Sequence, residues 1–448
     1  MKTTLLGIVL IVAVSLAIAP CASAQVTAQA QLNGVVRDQS GGSVAKASLT
    51  LSDTSTNRVY SATSNDDGFY IFTNLPPGKY ELVADFAGFA KYTRAGVELS
   101  VGQTATLDVN LKVAAAGEKV VVDTTAPVIE TTRTEVSQVV NDRQIQSLPI
   151  SGRLFTDFAL LTPGVTTGRI SLQSTFTDPA TTRISFGGQR DLSNNVTVDG
   201  ADNINTSTGS QRATPSQEAV SEFRVVNNSF GADYGRSLGG IVNIVTKSGT
   251  NELHGSVYDY FQNNATNAKS ILTQPGFDVL RQNQFGATLG GPLRKDKTFF
   301  FANYEGQRRA ESPTYPALLV DNLAAINTLK QSLGIAPENL GILKTANVDN
   351  GFIKVDDQLN EKNRLSARYL IQDARDSNLL VGQTLDGGGI GAPSSGRNGL
   401  LRDQALVGTL NTQVKDTLFN TALFQWARRN YGFPAVTGQP NLDIPNQL

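Results

Sequence analysis

GADYGRSLGGIVNIVTKSGTNELHGSVYDYF, residues Gly231 to Phe261, holds two kinds of strand joined by a polar connector. GIVNIVTK, Gly240 to Lys247, is apolar and β-branched almost throughout, the pattern of a strand dry on both faces. HGSVYDYF, from His254, is aromatic, mixed and wetter. The polar turn Ser248-Gly249-Thr250-Asn251 separates them. One chain therefore builds strands for two different surroundings, and the border lies near residue 250.

Downstream of that border the pattern is alternation. In RLSARYLIQ, Leu365, Ala367, Tyr369 and Ile371 point one way. Arg364, Ser366, Arg368 and Gln372 point the other, with Leu370 the exception. Strands that cross a membrane in a barrel need about ten residues of such dyad alternation. A soluble sandwich would hide the first set and wet the second, so alternation leaves both readings open. The connections are more telling. Three hairpins turn tightly at Gly291 to Asp296, Asn360 to Asn363 and Lys415-Asp416, and they alternate with long segments at 310–350 and 373–402. Short turns at one end and long loops at the other are the layout of outer-membrane barrels. Phe299, Phe300 and Phe301 sit beside the first turn, where either an interfacial aromatic girdle or a plain core cluster accounts for them. Residues 322–343 are expected to hold short helices inside an outer loop, and Leu418, Ala422, Phe424 and Trp426 share one face.

The N-terminus fixes the route. Lys2 precedes an apolar run, Leu5 to Ala19, and Ala22-Ser23-Ala24 is a small-x-small cleavage site. About fifteen apolar residues are short for a spanning helix, so 1–24 reads as a signal peptide with Gln25 the first mature residue. Pro20 argues against lipidation at Cys21. Cys21 is the only cysteine, so the mature chain has no disulfide framework and no thiolate metal site. Export without a later apolar helical run leaves the periplasm, secretion, or the outer membrane as a β-barrel. Of the 448 residues, 38 are Lys or Arg and 39 are Asp or Glu, a formal net charge of -1 that argues against a nucleic-acid partner. His254 is the only histidine and no H-E-x-x-H pair exists, so no peptidase zinc site can be assembled, and neither an enzyme nor a cofactor is expected. With 41 glycines and abundant Thr, Asn, Ser and Val, the composition favours strands and turns.

Residues 30–112 read as short strands between turn signals, expected at 31–37, 47–51, 69–72, 78–86 and 105–111, the pattern of a small β-sandwich. DDGFYIFTNLPPGKYEL is its most specific part. Asp67-Gly68 turns the chain, Tyr70 and Phe72 share a face, Leu75 plugs one end of the core, and Pro76-Pro77-Gly78 turns before Tyr80 and Leu82 re-enter. This pattern resembles the carboxypeptidase-regulatory-like module, which implies a prealbumin-like sandwich. A linker at 113–128 follows. Within it Glu118, Lys119, Val120, Val121, Val122 and Asp123 form a short extended segment, read either as an edge strand or as a strand left free to pair with a partner's sheet.

From residue 129 to 250 the expected elements are a short amphipathic helix or turn with Val140, Ile145 and Leu148 on one side, a second short helix at 155–161, and strands at 183–186, 195–198, 219–227 and 240–247. Four motifs carry a resemblance here: Ser147-Leu148-Pro149, V-x-V-D-G at Val196 to Gly200, V-x-x-F-R-V at Val220 to Val225, and A-x-Y-G-x-x-x-G-G-I-V-N-I-V-T-K from Ala232 to Lys247. The ordering resembles the plug domain of TonB-dependent outer-membrane receptors. It marks Asp199, Gly200, Tyr234, Gly235, Gly239, Gly240, Asn243 and Lys247 as plug-motif positions, the glycines serving close backbone approach or positive φ. The run from Phe285 to Arg308 resembles the early barrel of the Oar-like branch of these receptors. The implied architecture is mainly β: an N-terminal prealbumin-like β-sandwich, a small mixed α/β plug, and at 251–448 the first strands of an incomplete transmembrane β-barrel.

That resemblance implies a cell outer-membrane receptor, with the sandwich in the periplasm, that binds an extracellular ligand and passes it inward when TonB, energised from the inner membrane, remodels the plug. Its partners would be TonB, outer-membrane lipid and an unidentified ligand. The 118–123 segment lies where such chains carry a TonB box. Gln189, Arg190, Asp202 and Asn203, together with Asp199, are candidate apical ligand contacts, with solvated loop positions the competing reading. An adhesive surface protein on the same scaffold is the alternative function. Residues 251–448 supply roughly six to eight strands, whereas a lumen that holds a separate plug takes about 22. A fragment of a longer receptor, or a truncated reading frame, is therefore expected.

Overall fold

The computed structural model describes residues 29–113, 120–121, 130, 135–148, 150, 153–167, 184–190, 193–205, 211–228, 230–231, 235–268, 275–379, 392–415, 418–432 and 434. The signal-peptide reading at 1–24 lies outside the described residues, as do Glu118, Lys119, Val122, Asp123, Pro149 and Tyr234.

The first unit is a sandwich of short strands: β1 (Ala30–Arg37), β2 (Ser48–Asp53), β3 (Val59–Thr63), β4 (Phe69–Leu75), β5 (Gly78–Asp85), β6 (Tyr92–Leu99), β7 (Thr104–Thr106), β8 (Val109–Asn110) and β9 (Val120–Val121). One sheet runs β4-β1-β7, with β8 also on β1; the other runs β3-β2-β5-β6-β9. Every second residue of β1, β2 and β5 is buried, and β4 buries Tyr70, Phe72 and, after a break in the alternation, Leu75, so the inner faces meet in one core that includes Leu32, Leu49, Leu51, Tyr70, Phe72, Leu75, Tyr80 and Leu82. The Asn65 carboxamide oxygen accepts from Asp67 N and Phe69 N, and Gly68 takes φ +74, which together build the turn into β4. The Tyr70 hydroxyl donates to the Leu107 carbonyl at 2.6 Å, giving a buried polar tip its partner. Strands β3 and β6 were not expected. β3 is an edge with little burial, and β6 is interrupted by Arg94 and by Gly96 at φ +71, so neither shows a sustained alternation.

The second unit is a mixed sheet. It contains β10 (Val136–Val140), helix α1 (Asp142–Ser147), a 3-10 turn at Phe155–Leu161, β11 (Val165–Thr167), β12 (Ile184–Phe186), β13 (Asn195–Val198), β14 (Ala201–Asp202), β15 (Val220–Asn228) and β16 (Ile241–Thr246). The sheet order is β10-β15-β16-β13-β14, with β16 parallel to β13 and antiparallel to β15. All six residues of β16 are buried, the polar Asn243 among them, as a strand covered on both faces requires. A capping box closes the start of α1: Gln144 N donates to the Asn141 side chain at 3.0 Å, and Asn141 N donates to the Gln144 side chain at 3.1 Å. The expected amphipathic helix is thus divided. Val140 ends β10 and Ile145 lies on α1, both buried, whereas Leu148 is exposed because α1 has already stopped there.

The third unit is an antiparallel wall of seven strands in chain order: β17 (His254–Asn263), β18 (Leu280–Arg294), β19 (Thr298–Glu311), β20 (Lys344–Asn360), β21 (Asn363–Leu379), β22 (Arg397–Lys415) and β23 (Leu418–Gly432). The sheet is open, with β17 and β23 at its edges. The short turns β18–β19 and β20–β21 lie at one end, where β22 and β23 also pair up to Lys415 and Leu418. At the other end the β19–β20 connection carries α2 (Ala317–Asp321) and α3 (Leu323–Ser332). Lys330 on α3 makes a buried ion pair with Glu338 at 2.6 Å within that connection.

Which face of the wall is buried separates the two readings left open above. On β21 the buried positions are Arg368, Leu370, Gln372, Ala374, Asp376 and, at its end, Leu379, whereas Leu365 and Arg375 on the other face are exposed. The inner face of the neighbouring strands continues the polar set with Gln282, Gln284, Asn303, Glu305, Asn350, Lys354, Asp356 and Asp403. The outer face shows Phe285, Leu289, Tyr304, Ile353, Leu406, Phe424 and Trp426. This is the reverse of a soluble sandwich, and an apolar outer band is what a bilayer covers. The girdle reading of the phenylalanines needs correction. Phe299 and Phe301 are buried on the inner face, Phe299 beneath the Arg58 guanidinium of the sandwich at 5.0 Å and Phe301 against Phe352 at 6.3 Å; Phe300 alone of the three has outward parity.

Candidate functional site

The inner face of the wall and the mixed sheet meet mainly through charge and hydrogen bonds, around one small apolar cluster in which Ala213 and Ala219 pack with Phe301, Phe352 and Leu370 of the wall. Asp199 and Gly200 join β13 to β14 with φ of +49 and +80, the paired positive angles of a tight hairpin turn. The turn aims the Asp199 carboxylate at three elements. It accepts from Thr246 N at 2.9 Å and Thr246 Oγ1 at 2.8 Å on β16, and it pairs with Arg368 Nε at 3.1 Å and Lys354 Nζ at 3.4 Å on the wall. Arg368 also donates to the Val198 carbonyl at 2.8 Å. A carboxylate so placed offsets two buried cations.

Further from the short turns, the segment before β15 runs against the wall. Arg212 pairs with Asp403, whose other oxygen accepts from Ala213 N at 3.0 Å and pairs with Arg429 at 2.6 Å. Asn350 donates to the Thr214 carbonyl at 3.2 Å and Ser216 donates to Asn303 at 2.6 Å. Arg153 pairs with Glu218 at 2.7 Å and lies 3.7 Å over the Tyr260 ring, a cation–π contact with the first wall strand.

At the short-turn end all three units surround a cavity of about 510 Å³. Asp53 and Arg58 of the sandwich, Asp199 and Lys247 of the mixed sheet, and Asp356 and Arg364 of the wall contribute to its lining. Charges of both signs are represented equally among these six, so no single ligand charge is selected. The sandwich touches the wall through Asn57 to Asp296 at 3.0 Å, Asn251 N to the Ser55 carbonyl at 3.1 Å, and Arg364 to the Tyr60 hydroxyl at 3.4 Å. It touches the mixed sheet at β15. There Glu222 accepts from Val101 N, and Arg224 donates to the carbonyls of Val101 and Gly102 while pairing with Glu135 and, at 3.9 Å, with Glu130. Burial raises the Glu222 carboxyl to about 7, opposed by the Val101 N–H and by Arg224 and assisted by Glu98.

The expected site residues fall into distinct places. A side chain on Gly239 would collide with Asn194, and one on Gly240 with the Phe186 ring, so both glycines serve close approach. The Gly235 carbonyl accepts from Asn195 at 3.0 Å, Asn243 is fully buried beside Thr197, and Lys247 pairs with Asp142 at 3.0 Å. Gln189 and Arg190 are exposed in the loop before β13. Asp202 pairs with Arg236 at 2.7 Å. Asn203 is buried, its amide donating to the carbonyls of Arg212 and Ala213, a structural role in place of the expected ligand contact. Asp199 also departs from the apical reading, since its turn faces the sandwich end. Val120 and Val121 form β9, paired in parallel with Tyr92 and Thr93 of β6. Reading the sequence marked Arg224 only as a letter of the V-x-x-F-R-V motif and missed Arg212, Glu222, Lys354 and Asp403. The available signal was Glu222 and Arg224 at alternate positions beside Val220, Phe223, Val225 and Val226 of the same strand.

Residues 31–112 match the carboxypeptidase regulatory-like domain family and residues 245–328 match the outer membrane beta barrel domain family. The chain is 28% identical over 313 residues to the TonB-dependent transporter Oar of Myxococcus xanthus, a match covering 66% of this chain and 28% of that transporter. It thus spans well under half the length of this curated relative. Among solved structures, it is similar to the siderophore receptor PirA of Pseudomonas aeruginosa (15% identity, TM-score 0.45, covering 67% of this chain and 42% of that one). It is also similar to the outer membrane transporter YddB of Escherichia coli (12% identity, TM-score 0.47, covering 65% and 38%). The named relatives are transporters and receptors, not enzymes. The chain is thus similar, over part of its length, to the TonB-dependent transporter Oar, and it carries a match to the carboxypeptidase regulatory-like domain ahead of a match to the outer membrane beta barrel domain.

Proposed function

We propose that the chain is the plug-bearing part of a TonB-dependent outer-membrane receptor. In this reading 129–250 is the plug, 251–448 is wall, 113–128 is the linker, and 30–112 is a periplasmic module. An extracellular ligand binds at the loop end, and TonB, energised from the inner membrane, engages the 118–123 segment and shifts the plug. The protein gates passage and does no chemistry on its cargo. The observation that carries this reading is the inverted wall: most groups facing the mixed sheet are polar or charged, around one small apolar cluster, and an apolar band that includes Phe285, Leu289, Ile353, Phe424 and Trp426 faces out. A plug held by ion pairs and hydrogen bonds can exchange them for water, because such contacts are only modestly better than hydration. A plug bonded by an apolar core would have no such exchange.

Strand β9 bears on the partner. Val120 and Val121 already sit as an edge strand on β6, which is the geometry of strand addition to a sheet. TonB would compete with β6 for the same backbone groups. The test is a thiol at Val120 paired with one in TonB, in cells. A disulfide adduct that disappears when 118–123 is deleted supports the reading. An adhesive protein on this scaffold would give no adduct and would keep its surface binding after the deletion.

A further inference from the structure

We propose that the N-terminal sandwich is a detachable stopper, seated on the short-turn end of the wall over the 510 Å³ cavity and latched to the mixed sheet through Arg224. This goes beyond the receptor reading in assigning the sandwich a gate of its own, and it rests on that reading for the direction of passage.

The geometry places the sandwich against both other units. On the wall side it contacts the β18–β19 turn through Asn57 and Asp296, the connector before β17 through Ser55 and Asn251, and β21 through Tyr60 and Arg364. Arg58 is buried between the Phe299 ring and the Asp356 carbonyl, 3.4 Å away. On the other side, the β6–β7 turn is seated on β15 by Glu222 and Arg224. Arg224 is 2% exposed and draws together three stretches: the sandwich turn at Val101 and Gly102, Glu130 and Glu135 after the linker, and β15 itself. One side chain thus joins the sandwich, the end of the linker and the mixed sheet.

The same geometry makes the seat reversible. The apolar cluster across this junction holds only Val101, Val245 and the half-buried Val139. The other junction contacts named here are polar, the character of domain interfaces that open. A buried guanidinium gains from its carboxylates but loses hydration, so the net is small while the position is sharply defined. Undocking returns Arg224, Glu222 and Arg58 to water. Docking leaves Asp53, Arg58 and Pro77 as one side of the cavity.

The test uses the chain in outer-membrane vesicles, where the only native cysteine, Cys21, falls within the segment read as the cleaved signal peptide and leaves the introduced pairs alone. Ser55→Cys and Asn251→Cys flank a main-chain hydrogen bond of 3.1 Å and report docking by their rate of oxidation to a disulfide. A second pair, Ser52→Cys with Val59→Cys, faces across β2 and β3 and reports folding of the sandwich alone. The expected result is ready oxidation of the docking pair in the parent and at least a tenfold slower rate with Arg224→Met, with the control pair unchanged. Val101→Asp, which sets a charge against Glu222 from the sandwich side, is expected to slow docking likewise. Failure of the parent pair to oxidise, or an unchanged rate in both variants while the control pair forms, overturns the proposal. The rates involve neither TonB nor a ligand, so they stand apart from the TonB adduct experiment.

Discussion

Arg368 of the wall reaches the turn of the mixed sheet at Asp199, its Nε 3.1 Å from the carboxylate while its guanidinium Nη2 donates to the carbonyl of Val198. Lys354 joins from the adjacent strand. The unit read as a plug is therefore fastened to its surroundings by a buried cluster of two cations and one anion.

Asp199→Asn keeps the shape of the turn but leaves Arg368 buried without its counter-charge and Lys354 with Asp356 as its remaining buried carboxylate neighbour. Removing one partner of a buried ion pair costs about 3–5 kcal/mol. A loss of about 3 kcal/mol is expected in urea titrations of the chain in lipid, and adding Arg368→Met should recover part of it. A double-mutant cycle measures the coupling. Additive losses would show that the two residues do not act together.

Gly240→Ala is expected to destabilise by about 1–3 kcal/mol, the range for overpacking, because the new methyl meets the Phe186 ring. Gly240→Ala with Phe186→Leu should regain stability relative to Gly240→Ala alone. Thermal unfolding reads both. Equal loss in the single and double variants would mean that backbone conformation, and not contact, excludes alanine.

Ile371 and Gln372 are neighbours on β21 with opposite faces. Ile371→Arg should cost about 2–4 kcal/mol of folded protein in a bilayer, the range for a cation at mid-depth. Gln372→Leu should leave bilayer insertion unchanged, since its side chain meets protein. Equilibrium folding into vesicles distinguishes the pair.

Docking of the sandwich should weaken as pH rises. Undocked, Glu222 returns to an ordinary carboxyl near 4.5; docked, burial raises it to about 7. Below about 4.5 it is neutral in both states and docking is at full strength. Between about 4.5 and 7 the undocked form releases its proton first, so docking weakens by up to tenfold per pH unit, about 1.4 kcal/mol, and levels off above that window. Glu98, Arg224, Glu130 and Glu135 are the charged groups around it. Energy transfer between dyes at Ser55 and Asn251 reads the change, and Glu222→Gln should remove the Glu222-linked part of the slope.

Much of the local structure was legible because it rests on near neighbours. The all-buried strand β16, the Asp199-Gly200 turn and the three wall hairpins each follow from short patterns. What alternation could not supply was the side that faces in, since period two is the same for both. Phe299 and Phe301 beside a turn resemble an interfacial girdle until Arg58, more than two hundred positions earlier, is seen to cover Phe299. The Arg224 junction was hidden for the same reason: its acceptors at Val101 and Gly102 are main-chain carbonyls more than a hundred residues away, and carbonyls leave no mark in sequence. Strand β6 was masked by its own Gly96 and Arg94.

The central claim is that the outer face of the wall meets hydrocarbon. Trp426, the single tryptophan of the chain, lies on that face of β23 and is 44% exposed in the protein alone. Its fluorescence in lipid vesicles tests the claim without any substitution. The account predicts blue-shifted emission, strong quenching by lipids brominated on their acyl chains, and little quenching by aqueous iodide. Red-shifted emission that iodide quenches and brominated lipid does not would contradict it.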